Sequence, residues 1–152
     1  MRFRKRLAKQ LGRCGALAAA TALASAGVAL GSTNAVKGAS YTGHFAGAAT
    51  QAITFTVSPD GRKVSAFSVV TPFKCSGGCG GVPSGRGGSA SISKNGKFTV
   101  KLKLLLPGSS TKALGTDTVT GTFLKHGGAK GTVTSHFTEG GGGKTVSWTA
   151  TG

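Results

Sequence analysis

The sequence predicts one small all-β domain behind an N-terminal export segment, an antiparallel meander of about eight short strands closed as a barrel or folded as a sandwich. Two observations carry this expectation. Beyond residue 36, apolar and polar residues alternate with a period of two almost throughout, and no stretch has the periodicity of a helix. Glycine-rich turn signals interrupt these runs at short intervals, in a chain of 152 residues of which 27 are glycine. That length suits a single domain, the usual range being roughly 100–200 residues.

The alternating runs can be taken in order. Ser40–Ala46 is the first. Ile53, Phe55 and Val57 then alternate with Thr54 and Thr56, and Ser58-Pro59-Asp60-Gly61 turns the chain into Lys63–Val70, which reads as a β-hairpin. The glycine-rich segment 75–88 follows, and from Gly77 to Gly88 it holds too little apolar surface to order itself, so a loop is expected. Ser89–Ser93 is the next strand, and Asn95-Gly96 supplies a type I′ turn into Phe98–Leu106. There Phe98, Val100, Leu102, Leu104 and Leu106 share one face while Thr99, Lys101 and Lys103 share the other, the pattern of a half-buried strand. Val119–Phe123, Val133–Phe137 and Val146–Ala150 complete the set, separated by Gly127-Gly128 and by Gly140–Gly143.

Met1–Arg13 carries six basic residues and no acid and leads into the apolar run Gly15–Leu30, the order of a secretory signal peptide. The run is shorter than the roughly 20 residues that span a bilayer. A cleaved signal over residues 1–35 is therefore expected rather than a transmembrane anchor. Thr33-Asn34-Ala35 offers small side chains for cleavage after Ala35, with Gly31 as the second choice. The mature domain is then 36–152, secreted and close to the cell wall.

Charge bounds the chemistry. The chain has 19 Lys+Arg against 3 Asp+Glu, a formal net charge of +16. With Asp60, Asp117 and Glu139 as the only acids, paired-carboxylate hydrolysis and calcium or magnesium cages lack ligands. Arg62, Lys63, Lys74, Arg86, Lys94, Lys97, Lys101, Lys103 and Lys112 lie between Asp60 and Asp117 with no acid among them, whereas Asp117 and Glu139 offset Lys125, Lys130 and Lys144. A field of one sign attracts polyanions. Outside a cell these are wall polymers with phosphate or uronate groups, anionic lipid head groups or released nucleic acid, and Arg62, Lys63, Lys97, Lys101 and Lys103 are the candidate binding residues. The plainer alternative is a solvated lysine face that discourages edge-to-edge aggregation.

Cys14 leaves with the signal, so Cys75 and Cys79 remain, spaced by Ser76-Gly77-Gly78. The glycines permit an intramolecular disulfide, which in an oxidising compartment and for so short a loop is worth about 2 kcal/mol. The competing reading joins both thiolates to zinc through His44, His126 or His136, whose spacing does not favour it. Gly140–Thr145 imitates the end of a P-loop, but Thr138 stands where that motif needs glycine and no helix follows. Gly85–Ala90 meets the loose dinucleotide pattern without a βαβ unit. Neither catalysis, nor a cofactor, nor a specific nucleic-acid motif is expected.

The order Tyr41-x-Gly43, Ile53-x-Phe55-x-Val57-Ser58, Asp60-Gly61-Arg62-x-Val64, Cys75, Asn95-Gly96-Lys97-Phe98, Val119-x-Gly121-x-Phe123, Gly131 and Trp148-x-Ala150 resembles a group of small exported β-proteins of high-GC Gram-positive bacteria. In that group a second cysteine often stands shortly before the final tryptophan strand, where this chain has Gly140–Gly143 and carries Cys79 instead. The resemblance implies export and a β-fold and no activity. Two functions follow from the residues: an envelope-associated module adhering to anionic polymers through its basic surface, or a binder of a small apolar guest inside a barrel.

Overall fold

A computed structural model describes residues 34–71, 84–138 and 141–152. Eight antiparallel strands form a closed barrel, each paired with its neighbour in the chain and the last with the first. They are β1 (Ser40–Phe45), β2 (Ala48–Val57), β3 (Lys63–Val70), β4 (Ser84–Ser91), β5 (Lys97–Leu105), β6 (Ala113–Phe123), β7 (Gly128–Phe137) and β8 (Gly141–Thr151). Between the two architectures the sequence allows, the structure is the barrel, whose closure removes the sheet edges.

The period of two decides which side chains enter. Phe98, Val100, Leu102 and Leu104 of β5 are buried while Lys97, Thr99, Lys101 and Lys103 are exposed. Tyr41 stacks on Phe55 with ring centroids 5.0 Å apart, and Phe55 meets Phe67 at 5.3 Å and Trp148 edge-on at 5.8 Å. Such pairs add about 0.5–1.5 kcal/mol each beyond the burial of area. Gly121 makes the room for one of these rings, because a Cβ there would enter the ring of Phe98 on the neighbouring strand. The outer face is polar, with Thr120 and Thr132 hydroxyls 2.8 Å apart across β6 and β7, and Thr134 and Thr145 likewise across β7 and β8. A membrane barrel has the reverse arrangement, so this exterior suits water.

One end of the barrel is closed by its own chain. The Val36 N–H donates to the Tyr41 hydroxyl at 3.1 Å, Ala35 and Ala39 pack against the core, and the Gly152 N–H donates to the Gly127 carbonyl at 3.2 Å. The other end carries the β1–β2 turn and the β5–β6 loop.

Several expectations need correction. β4 begins at Ser84, inside the stretch expected to be loop, and runs against β3 from Val70↔Ser84 to Lys63↔Ser91. Ladder hydrogen bonds order it, which do not require apolar side chains. Gly128 and Gly141–Gly143 are likewise within β7 and β8 instead of separating strands. The Ser93–Gly96 turn is not type I′: Gly96 has φ +70° and Asn95 is not left-handed, and the Gly96 N–H donates to the Ser93 carbonyl at 2.9 Å. Leu106 lies beyond the end of β5 and is half-buried rather than in the core. β3 also contains a bulge that the alternation does not reveal: Thr54 pairs with Ser68 but Thr56 with Ser65, so Ala66 and Phe67 together oppose Phe55, with Ala66 at φ +54°.

Candidate functional site

The basic residues singled out in the sequence fall on one wall of the barrel. Lys97, Lys101 and Lys103 project from the outer face of β5, all exposed. Lys63 opens β3 opposite Ser91 of β4, and Arg62 precedes it in the β2–β3 turn, both exposed. Arg62 is tied to the same wall through its backbone, whose carbonyl accepts the Ile92 N–H at 2.7 Å. Its N–H donates to Asp60 Oδ1 at 3.0 Å. The Asp60 carboxyl is held below its usual range chiefly by the hydrogen bond from Ser58 and then by this Arg62 N–H, so it stays an anion beside Arg62. The aliphatic stem of Lys37 lies over Gly61, its Cγ 3.1 Å from where a Cβ would stand, which brings a further cation to this end.

The charges form two groups. Arg62, Lys63, Lys94 and Lys97 gather near the closed end, at the β2–β3 and β4–β5 turns. At the other end Arg86 of β4 is the direct cross-strand partner of Lys103. Lys101 stands between the groups on β5. Arg86 is the functional candidate that the shortlist from sequence omitted, because Ser84–Ser91 reads without alternation and its register becomes visible only through β3 and β5.

Beside Arg86 and Lys103 the wall is indented. A groove of about 570 Å³ is lined by both cations, by Ser84, Ser109 and Ser110, and by Leu105 and Leu106. Its far side is the β5–β6 loop, shaped by Ser109, whose hydroxyl oxygen accepts the N–H groups of Thr111 at 3.3 Å and Lys112 at 2.9 Å. β4 and β5 pair only over Ser84–Arg86 and Lys103–Leu105, so the groove sits on the outside of a short ladder.

Directly inside that ladder lies the barrel's buried acid. Asp117 is fully buried, which corrects the expectation that it offsets surface lysines. The Ser135 hydroxyl donates to its Oδ1 at 2.6 Å, while Oδ2 has no hydrogen-bond partner among the described residues. A Cβ on Gly85 would lie 2.8 Å from Oδ2 and 3.3 Å from Leu102, so glycine at that position leaves the carboxylate just enough space. Loss of solvation pushes its pKa up to about 6, against a smaller lowering by Ser135.

The interior that an apolar guest would need is occupied around Phe55, Phe98 and Trp148 by rings with centroids 5.5 to 6.4 Å apart. Cys75 and Cys79, residues 1–33 and Lys74 lie outside the described residues. Of the zinc candidates, His44 and His136 are exposed on β1 and β7 and His126 is exposed in the 3-10 turn Lys125–Gly127. No protein-family model, curated protein or solved structure matches this chain.

Proposed function

We propose that the mature chain is an exported, non-catalytic, envelope-associated module that adheres to anionic polymer through the outer wall formed by β3, β4 and β5. The observation that carries this reading is the row Lys97, Lys101 and Lys103, exposed on one face of one strand with Arg86 opposite Lys103. Residues two apart on a strand are about 6.8 Å apart, so Lys101 and Lys103 address adjacent charges of a single extended polyanion. A face held on a rigid barrel presents these cations without first ordering a loop, which limits the entropy lost on binding. Export is supported by the order of the basic and apolar segments before Ala35, and the exported product then begins at Val36.

The test is retention of the secreted protein on purified anionic wall polymer at low and at high ionic strength. Adhesion through exposed charges is expected at low salt and should disappear as the Debye length falls from about 10 Å at 0.1 M to about 3 Å at 1 M. Retention that salt does not touch would point to an apolar guest instead, and no retention at low salt would leave the lysines as a solvated face.

A further inference from the structure

We infer that the groove between Arg86 and the β5–β6 loop is a binding site for a phosphoryl group carried on a polyol, and that it is the point at which the anionic polymer is recognised rather than merely attracted. This inference rests on the adhesion reading and deepens it. Three features distinguish the groove from the rest of the basic wall. It is concave, whereas Lys97 and Lys101 stand on an open strand face. Its two cations are register partners on adjacent strands and both line the groove, so their side chains leave one face of the sheet side by side, where a single anion can meet both and relieve their mutual repulsion. Arg86 adds a planar fork suited to two oxygens of a phosphoryl group, and Lys103 a point charge for another.

The remaining lining specifies what carries the anion. Ser84, Ser109 and Ser110 line the groove together with the cations. Ser109 accepts two backbone N–H groups and so keeps its own O–H proton to donate outward. Hydroxyls that donate and accept match the hydroxyls of a polyol, and Leu105 and Leu106 offer apolar surface to its carbon chain. Gly87 and Gly108, both lining the groove, leave open space where a Cβ would project, so the backbone itself can be approached there. A carboxylate sugar would satisfy the hydroxyls but offers one planar pair of oxygens to two cations. A tetrahedral phosphoryl group is the better match.

The probes are glycerol 3-phosphate, inorganic phosphate and galacturonate, titrated into the secreted protein while amide resonances of Gly87, Gly108, Ser109 and Ser110 are followed. Glycerol 3-phosphate should shift these amides and bind more tightly than either of the others. Arg86→Gln should weaken it about 10- to 100-fold, the range for a charged hydrogen bond, while Lys130→Gln, exposed on β7 away from this wall, should leave it within about twofold, as expected for a distant exposed charge. Ser110→Ala should weaken glycerol 3-phosphate more than inorganic phosphate. Galacturonate or inorganic phosphate binding as tightly as glycerol 3-phosphate would overturn the assignment, as would equal effects of Arg86→Gln and Lys130→Gln. Adhesion to polymer with no movement of the groove amides would overturn the groove and leave adhesion standing. Groove binding by a protein that ignores the polymer would do the reverse.

Discussion

Asp117→Asn should change how stability depends on pH. The carboxyl is buried, receives one hydrogen bond from Ser135, and leaves Oδ2 facing Gly85 without a partner. Its pKa of about 6 in the fold stands against a value of 3.8 for the free group. The folded state thus holds this proton more tightly than the unfolded chain. The stabilisation is fully present below about pH 4 and is lost as pH rises through about 6, the opposite of the usual carboxylate contribution to acid unfolding. At 1.36 kcal/mol per unit, the shift corresponds to about 3 kcal/mol between pH 3 and pH 7. Asn keeps the acceptor for Ser135 and cannot ionise, although its buried amide N–H groups bring a constant cost of about 1–3 kcal/mol. Denaturant unfolding of both proteins at constant ionic strength, from pH 3 to pH 7.5, measures the difference. The stability of the wild type relative to the variant should fall by about 3 kcal/mol across that range, with Asp60 and the histidines cancelling in the subtraction. Parallel pH curves would refute the burial and orphaned oxygen assigned to Asp117.

Other consequences are simpler. Leu102→Ala should destabilise by about 2–5 kcal/mol and Lys101→Ala by no more than about 0.5 kcal/mol, and equal losses in chemical denaturation would mean the β5 register is wrong. Ala66→Gly should stabilise by about 1 kcal/mol, because Ala66 sits at φ +54° in the β3 bulge, and a loss of stability would argue against that bulge. Gly121→Ala should cost about 1–3 kcal/mol by displacing the Phe98 ring, an overpacking effect visible as a lower melting temperature and a changed near-ultraviolet aromatic signal.

Much of the barrel is legible in the sequence because most strands turn one face to the apolar interior and the other to water. β5 shows this best, where Phe98 to Leu104 alternate with Lys97 to Lys103. The alternation fails where pairing alone makes the strand. β4 reads Ser-Gly-Arg-Gly-Gly-Ser-Ala-Ser, and nothing local distinguishes it from a loop until β3 supplies its partner. Arg86 was hidden for the same reason, and with it the groove. Asp117 had a visible signal that its charge obscured: it lies two residues before Val119 in the run Val119, Gly121, Phe123, so the period of two already directs it inward. The bulge at Ala66 breaks the period without a glycine to mark it.

The most direct measurement compares wild type with Lys97→Gln/Lys101→Gln/Lys103→Gln on anionic wall polymer across a salt series. Exposed charges contribute about 0–1 kcal/mol each, so the three together are expected to weaken binding by up to about two decades and to make its dependence on salt shallower. Binding by the triple variant that matches the wild type in strength and in salt slope would contradict adhesion through this wall.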